Sequence, residues 1–160
     1  MRAGDRGRPA PARGFLYVAL LAILAVVAVG LAAVGTRWPD RTQREREQQL
    51  LRVGRLYAEA LAAYHRGSPG SDKTWPRSVD ELLLDPRMLG TVRHLRRAYT
   101  DPMQPGVPLG LVRAADGTIR GVFSTSPLQP FAQAPLDLGI VELAPARRYA
   151  DWQFVPKVEP

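Results

Sequence analysis

Two histidines, His65 and His94, and no cysteine set the limits of the chemistry open to this 160-residue chain. Without cysteine there are no disulfides, thiolate nucleophiles or thiolate metal ligands. The histidines lack metal-ligand spacing. His65 lies next to Arg66 and Gly67 at the end of a helical pattern, where a cation complements the helix dipole. His94 lies in a basic run with Arg93, Arg96 and Arg97. Ser124-Thr125-Ser126 carries three hydroxyls but lacks the G-x-S-x-G setting of a nucleophile elbow, so it reads as a polar strand end. The inventory points away from an enzyme and toward a structural or binding role.

The net charge is +7, and the basic residues are scattered rather than massed. Arg2, Arg6, Arg8 and Arg13 come first; Arg41, Arg44, Arg46, Arg52 and Arg55 follow on one helical pattern. A basic chain invites a nucleic-acid reading, but no nucleic-acid-binding motif accompanies the charge, and no nucleic-acid partner is expected. Between the first two basic groups, residues 15–34 carry no acidic or basic side chain that is charged at neutral pH. About 20 apolar residues span a bilayer as a helix, whereas the apolar core of a secretory signal is about 7–15. Length therefore favours an anchor in membrane lipid over a removed signal, against the small-x-small triplet Ala33-Val34-Gly35. The arginines before the run, with Asp5 as the only acid there, place the N-terminus in the cytoplasm. Trp38 suits the far membrane interface.

Beyond the span, Pro39 reads as a kink or restart, and Thr42 to Glu45 fits a capping box for the restarted helix. Leu50, Val53, Leu56, Tyr57, Ala60, Leu61 and Tyr64 recur every three or four residues, which is one buried helix face. Residues 43–49 read as a solvated stem surface, and Gly67-Ser68-Pro69-Gly70 ends the helix. A second helix opens at the S-x-x-E pattern of Ser78 and Glu81 and closes at Asp85-Pro86. Residues 88–97 read as short helical or irregular. Two strand patterns flank Ala115-Asp116-Gly117, a hairpin turn in which Asp-Gly accepts positive φ. The proline-rich stretch 127–145 reads as irregular, and 149–155 as a closing strand. Trp75, Tyr99, Trp152 and Phe154 are expected in the core. The fold class is α+β: a long N-terminal helix packed on a small antiparallel sheet.

Arg13-Gly14-Phe15 joins the basic leader directly to the apolar run. This resembles the prepilin class of leader, which a membrane peptidase cuts after glycine. The stretches "QREREQQLLRVGRLYAEALAAYHRGSPG", "WPRSVDELLLDPR", "RHLRRAYTDPM", "GLVRAADGTIRGVFSTS" and "YADWQFV" resemble type II secretion pseudopilins, relatives of the type IV pilins. The resemblance implies a cytoplasmic leader at 1–14, a transmembrane helix at 15–35, a stem helix at 36–66 and a periplasmic α+β head at 67–160. It implies cleavage between Gly14 and Phe15 by prepilin peptidase and N-methylation of Phe15. The implied place is the bacterial inner membrane, single-pass, with the head in the periplasm. The implied partners are other pseudopilin subunits and the inner-membrane secretion machinery.

One position departs from the pattern. The family usually carries a glutamate four residues after the cleavage-site phenylalanine, paired with a neighbour's terminal amine because an unpaired carboxylate in lipid is costly. Here that position is Ala19, and residues 15–34 offer no substitute acid. This implies a minor or atypical subunit. Major members hold calcium in the head, which needs six to eight oxygen ligands. Asp101 and Asp116 are the candidate ligands, with Asp137 and Glu142 in the following loop; Asp116 is already explained by the turn, and no cofactor is expected. Two other readings stay open: a type IV pilus or DNA-uptake minor pilin, and an unprocessed bitopic envelope protein with a partner-binding head.

Overall fold

The computed structural model describes residues 13–35 and 38–158, with side chains at 17–28 and 41–158. Most of the leader 1–14, and the side chains of Phe15 and Trp38, lie outside the described residues. The chain divides into two compact units, Met1–Arg41 and Thr42–Pro160.

In the first unit, α1 (Arg13–Gly35) is a helix of 23 residues, a length that rises about 35 Å. Its described side chains, 17–28, are exposed except for half-buried Ala19. Among the described residues, no helix is long and apolar enough to cross a membrane.

The next helix, α2 (Trp38–Arg66), begins four residues before the expected restart. Pro39 falls in its first turn, where a missing N–H and a fixed φ are tolerated. The helix therefore runs through Thr42 to Glu45, and these residues are not a cap. The expected face is buried: Leu50, Val53, Tyr57, Ala60, Leu61 and Tyr64 all lie in the core of the second unit. Expected as solvated, 43–49 is only partly so, because Glu47 is buried. It stands three residues before Leu50, so helical geometry turns it to the same side.

α3 (Asp80–Leu83) is a single turn. Its N-cap is Val79, without a side-chain cap bond, so the expected Ser78 box does not form. Glu81 instead accepts from the Tyr64 hydroxyl at 2.7 Å and from the Arg77 amide at 3.3 Å. Residues 88–97 contain neither helix nor strand.

The strands are β1 (Gly110–Arg113), β2 (Ile119–Phe123), β3 (Leu136–Asp137), β4 (Glu142–Leu143) and β5 (Gln153–Phe154). β1, β2 and β5 form an antiparallel sheet in that order, with Leu111 opposite Val122 and Val122 opposite Phe154. The expected hairpin is present: Gly117 has φ +78°, and its amide bonds the Ala114 carbonyl. β3 and β4 pair inside the stretch expected to be irregular. The Leu138 amide bonds the Val141 carbonyl, and Gly139 (φ +81°) makes the turn that proline counting overlooked. The expected closing strand is shorter than 149–155, because Tyr149–Asp151 is a 3-10 turn. That turn seats the Tyr149 and Trp152 rings edge to face, 5.4 Å apart. Trp152 and Phe154 are buried, and Trp75 and Tyr99 pack half-buried against the same core. The chain is thus α+β, with helices and a small antiparallel sheet.

Candidate functional site

α1 presents apolar side chains on every side. Tyr17, Val18, Leu20, Leu21, Ile23, Leu24, Val26 and Val27 are each at least half exposed. At 100° per residue, this stretch covers the whole circumference. An all-apolar helix needs lipid or protein around it. Ala19 lies within this stretch. Gly14 is in the first turn of α1; how Phe15 and Trp38 meet their surroundings lies outside the described side chains.

In the second unit, a buried carboxylate fastens α2 to the segments around Phe131 and Tyr149. Glu47 accepts from the Tyr149 hydroxyl at 2.6 Å and from the amides of Phe131 at 2.7 Å and Ala132 at 3.3 Å. The Gln43 amide, one turn earlier, donates to the Gln129 carbonyl at 3.0 Å and to the Tyr149 oxygen at 3.3 Å. Arg44 lies over the Phe131 ring at 4.5 Å. Burial pushes the Tyr149 hydroxyl up to about 12, and the neighbouring Glu47 carboxylate adds to that. Nothing in the sequence links positions 47 and 149, and only the packing of α2 on the sheet brings them together.

A second hub forms where α2 ends. Asp85 is fully buried, and its carboxylate accepts from Arg87 Nε at 2.9 Å and Nη2 at 2.7 Å. His94 Nε2 lies 3.0 Å from the same carboxylate. Arg87 also donates to Ser68 Oγ, Thr74 Oγ1 and the Tyr64 carbonyl, and its guanidinium lies 3.4 Å from the Tyr64 ring centre. The Arg87 bonds hold the Asp85 carboxyl well below the usual carboxylate range, against the effect of burial. Burial pushes the Tyr64 hydroxyl above its ordinary value, helped by its bond to Glu81. The Asp85-Pro86-Arg87 triplet was the available signal, since a turn at proline folds an arginine back onto the acid before it.

The candidate calcium ligands serve different local structures. Asp101 is fully buried; it accepts from the Ser124 hydroxyl at 2.7 Å and from the amides of Met103 at 2.9 Å and Thr125 at 3.1 Å. Asp116 stays in the hairpin turn, where it accepts from the Thr118 amide and hydroxyl. Asp137 bonds the Gly139 amide, and Lys157 reaches Asp137 and Glu142 at 3.7 and 3.1 Å. Among the described residues, no group of three or more metal-ligating side chains converges.

Ser124 and Ser126 are buried, with Ser124 bonded to Asp101. His65 stacks on Trp75 at 4.3 Å and faces the Thr74 carbonyl. The histidines thus meet Thr74 and Asp85 rather than a serine. Two open grooves of about 370 and 400 Å³ lie beside α2, both lined by Arg52 and Leu56, one reaching Leu138 and the other Arg97 and Tyr99. No family model, curated protein or solved structure matches the chain.

Proposed function

We propose that this chain is a structural subunit of a bacterial type II secretion pseudopilus, anchored in the inner membrane by α1 with its head in the periplasm. The observation that carries the reading is the exposed, apolar surface of residues 17–28 in α1, which follow a basic N-terminal arm and precede a stem helix that has its own folded head. Such a helix is stable in lipid, or surrounded by the like helices of other subunits, and both environments occur in filament assembly. The subunit works without catalysis, by packing against its neighbours. Prepilin peptidase removes residues 1–14 between Gly14 and Phe15, and Phe15 becomes the methylated terminus. Because Ala19 leaves the span without an acid, the subunit takes a minor or end position, where it has a partner on one side only.

The test is the intact mass of the mature chain from its native host. The expected mass lacks residues 1–14 and carries one added methyl group. A Gly14→Trp chain should stay full length while still partitioning with membranes. A full-length, unmethylated wild-type chain would remove the prepilin reading and leave the unprocessed bitopic protein, which the same α1 surface supports.

A further inference from the structure

Residues 85–92 form a loop closed by their own backbone, with the Asp85 amide donating to the Val92 carbonyl at 2.9 Å. The Arg87 ladder described above pins one side of the loop to the end of α2. On the other side the His94 and Leu95 amides both bond the Leu82 carbonyl, at 2.9 and 2.8 Å. The loop is therefore held from both ends. At its apex, however, Leu89 is completely exposed, at 111%, and Leu84 at its mouth is 54% exposed. The other large apolar side chains exposed in the second unit, Val107, Leu128 and Val155, lie elsewhere in the sequence.

The exposed charge that follows these leucines in the chain has one sign, while exposed Asp80 stands one turn before Leu84. Between 84 and 98 the exposed ionisable side chains are Arg93, Arg96 and Arg97. The one acid in that stretch, Asp85, is buried and bonded to Arg87 and His94. Arg93 and Arg96 make no hydrogen bond or ion pair with any described residue, and Arg97 rests over the Tyr99 ring at 4.9 Å. The hydrogen-bonded loop thus carries a bare leucine, and unpaired Arg93 and Arg96 follow it in the chain.

We propose that this loop is a docking surface for another protein, through a segment that sets acidic side chains beside an apolar one. Charge complementarity selects the acids, and Leu89 is the apolar anchor. The pre-formed loop lowers the ordering cost of binding. A membrane surface is a poorer occupant, because interfacial binding grows with the apolar area inserted and two leucines supply little. A nucleic acid is poorer still, since it would leave Leu89 unused and find no aromatic stacking platform in the loop.

The experiment replaces Leu89 with a photo-crosslinking phenylalanine in the full chain, in its native host, and sequences the crosslinked peptides. The expected adduct is a peptide of another protein with acids next to an apolar residue. Its yield should fall about tenfold in an R93E/R96E chain and recover when the mapped acids are changed to lysine. Leu128→Ser, at another exposed leucine, should leave the yield unchanged. Circular dichroism checks that each variant is folded, as expected for exposed positions. Adducts to lipid, to nucleic acid, to this chain alone or to a segment without acids would overturn the proposal. So would no adduct, or a yield indifferent to R93E/R96E. The mature mass is read from the same cells, so failure of the docking surface and failure of the pseudopilin reading are told apart.

Discussion

Gly54→Ala is the substitution for which local and tertiary effects predict opposite signs. In an isolated helix, replacing an interior glycine with alanine gains about 1 kcal/mol. In this protein Gly54 is buried midway along α2, and an added methyl would overlap three ring carbons of Phe154. Phe154 is fully buried and held in β5 opposite Val122, so its ring cannot swing away without opening the core. Inserting a methyl into such packing costs about 1–3 kcal/mol. Direct overlap with a stiff ring belongs at the upper end, so strain exceeds the propensity gain and the net loss is about 2 kcal/mol. In a domain of this size that lowers the melting temperature by about 10 °C. The assay is urea and thermal unfolding of a fragment starting at Arg41, which holds the whole second unit. A Phe154→Leu background should blunt the Gly54→Ala penalty, giving a coupling of about 1 kcal/mol or more. If Gly54→Ala instead stabilises the fragment by about 1 kcal/mol in the presence of Phe154, helix propensity alone governs the position and the packing argument fails.

Leu61→Asp places an unpaired charge at a fully buried point of the α2 face. It should cost more than about 4 kcal/mol and abolish cooperative melting by circular dichroism; a parent-like melt would show that this face is not core. At alkaline pH, Tyr149 makes stability fall. Its folded value, about 12, lies above the ordinary tyrosine value of 10.0, so its contribution is complete below the ordinary value and is lost as pH rises through the folded one. Unfolding followed across that window should show the loss, and Tyr149→Phe should reduce it, leaving the part due to Tyr64 and Tyr57, whose hydroxyls burial also pushes up.

The sequence by itself determined the parts whose signals are local. The buried face of α2 follows from Leu50, Val53, Tyr57, Leu61 and Tyr64 recurring at helical spacing. The β1–β2 hairpin follows from Asp116-Gly117, because few residues other than glycine tolerate positive φ there. The apolar run in α1 needs no fold to be recognised. Tertiary structure decided whatever depended on partners distant in the chain. Glu47 looked like one more charge on a solvated stem, yet Tyr149, Phe131 and Ala132 make it a buried acceptor. Glu81 had the right spacing for a capping box, but its carboxylate bonds Tyr64, a partner already fixed on α2. Gly54 is an interior helix glycine whose reason lies in the fold, because the Phe154 ring fills the space a side chain would take. The physical reason is the same in each case. A backbone preference is settled within a few residues, at about 1 kcal/mol or less each, whereas a buried carboxylate or an aromatic ring in a close-packed core is settled by contacts that exist only after the chain has folded.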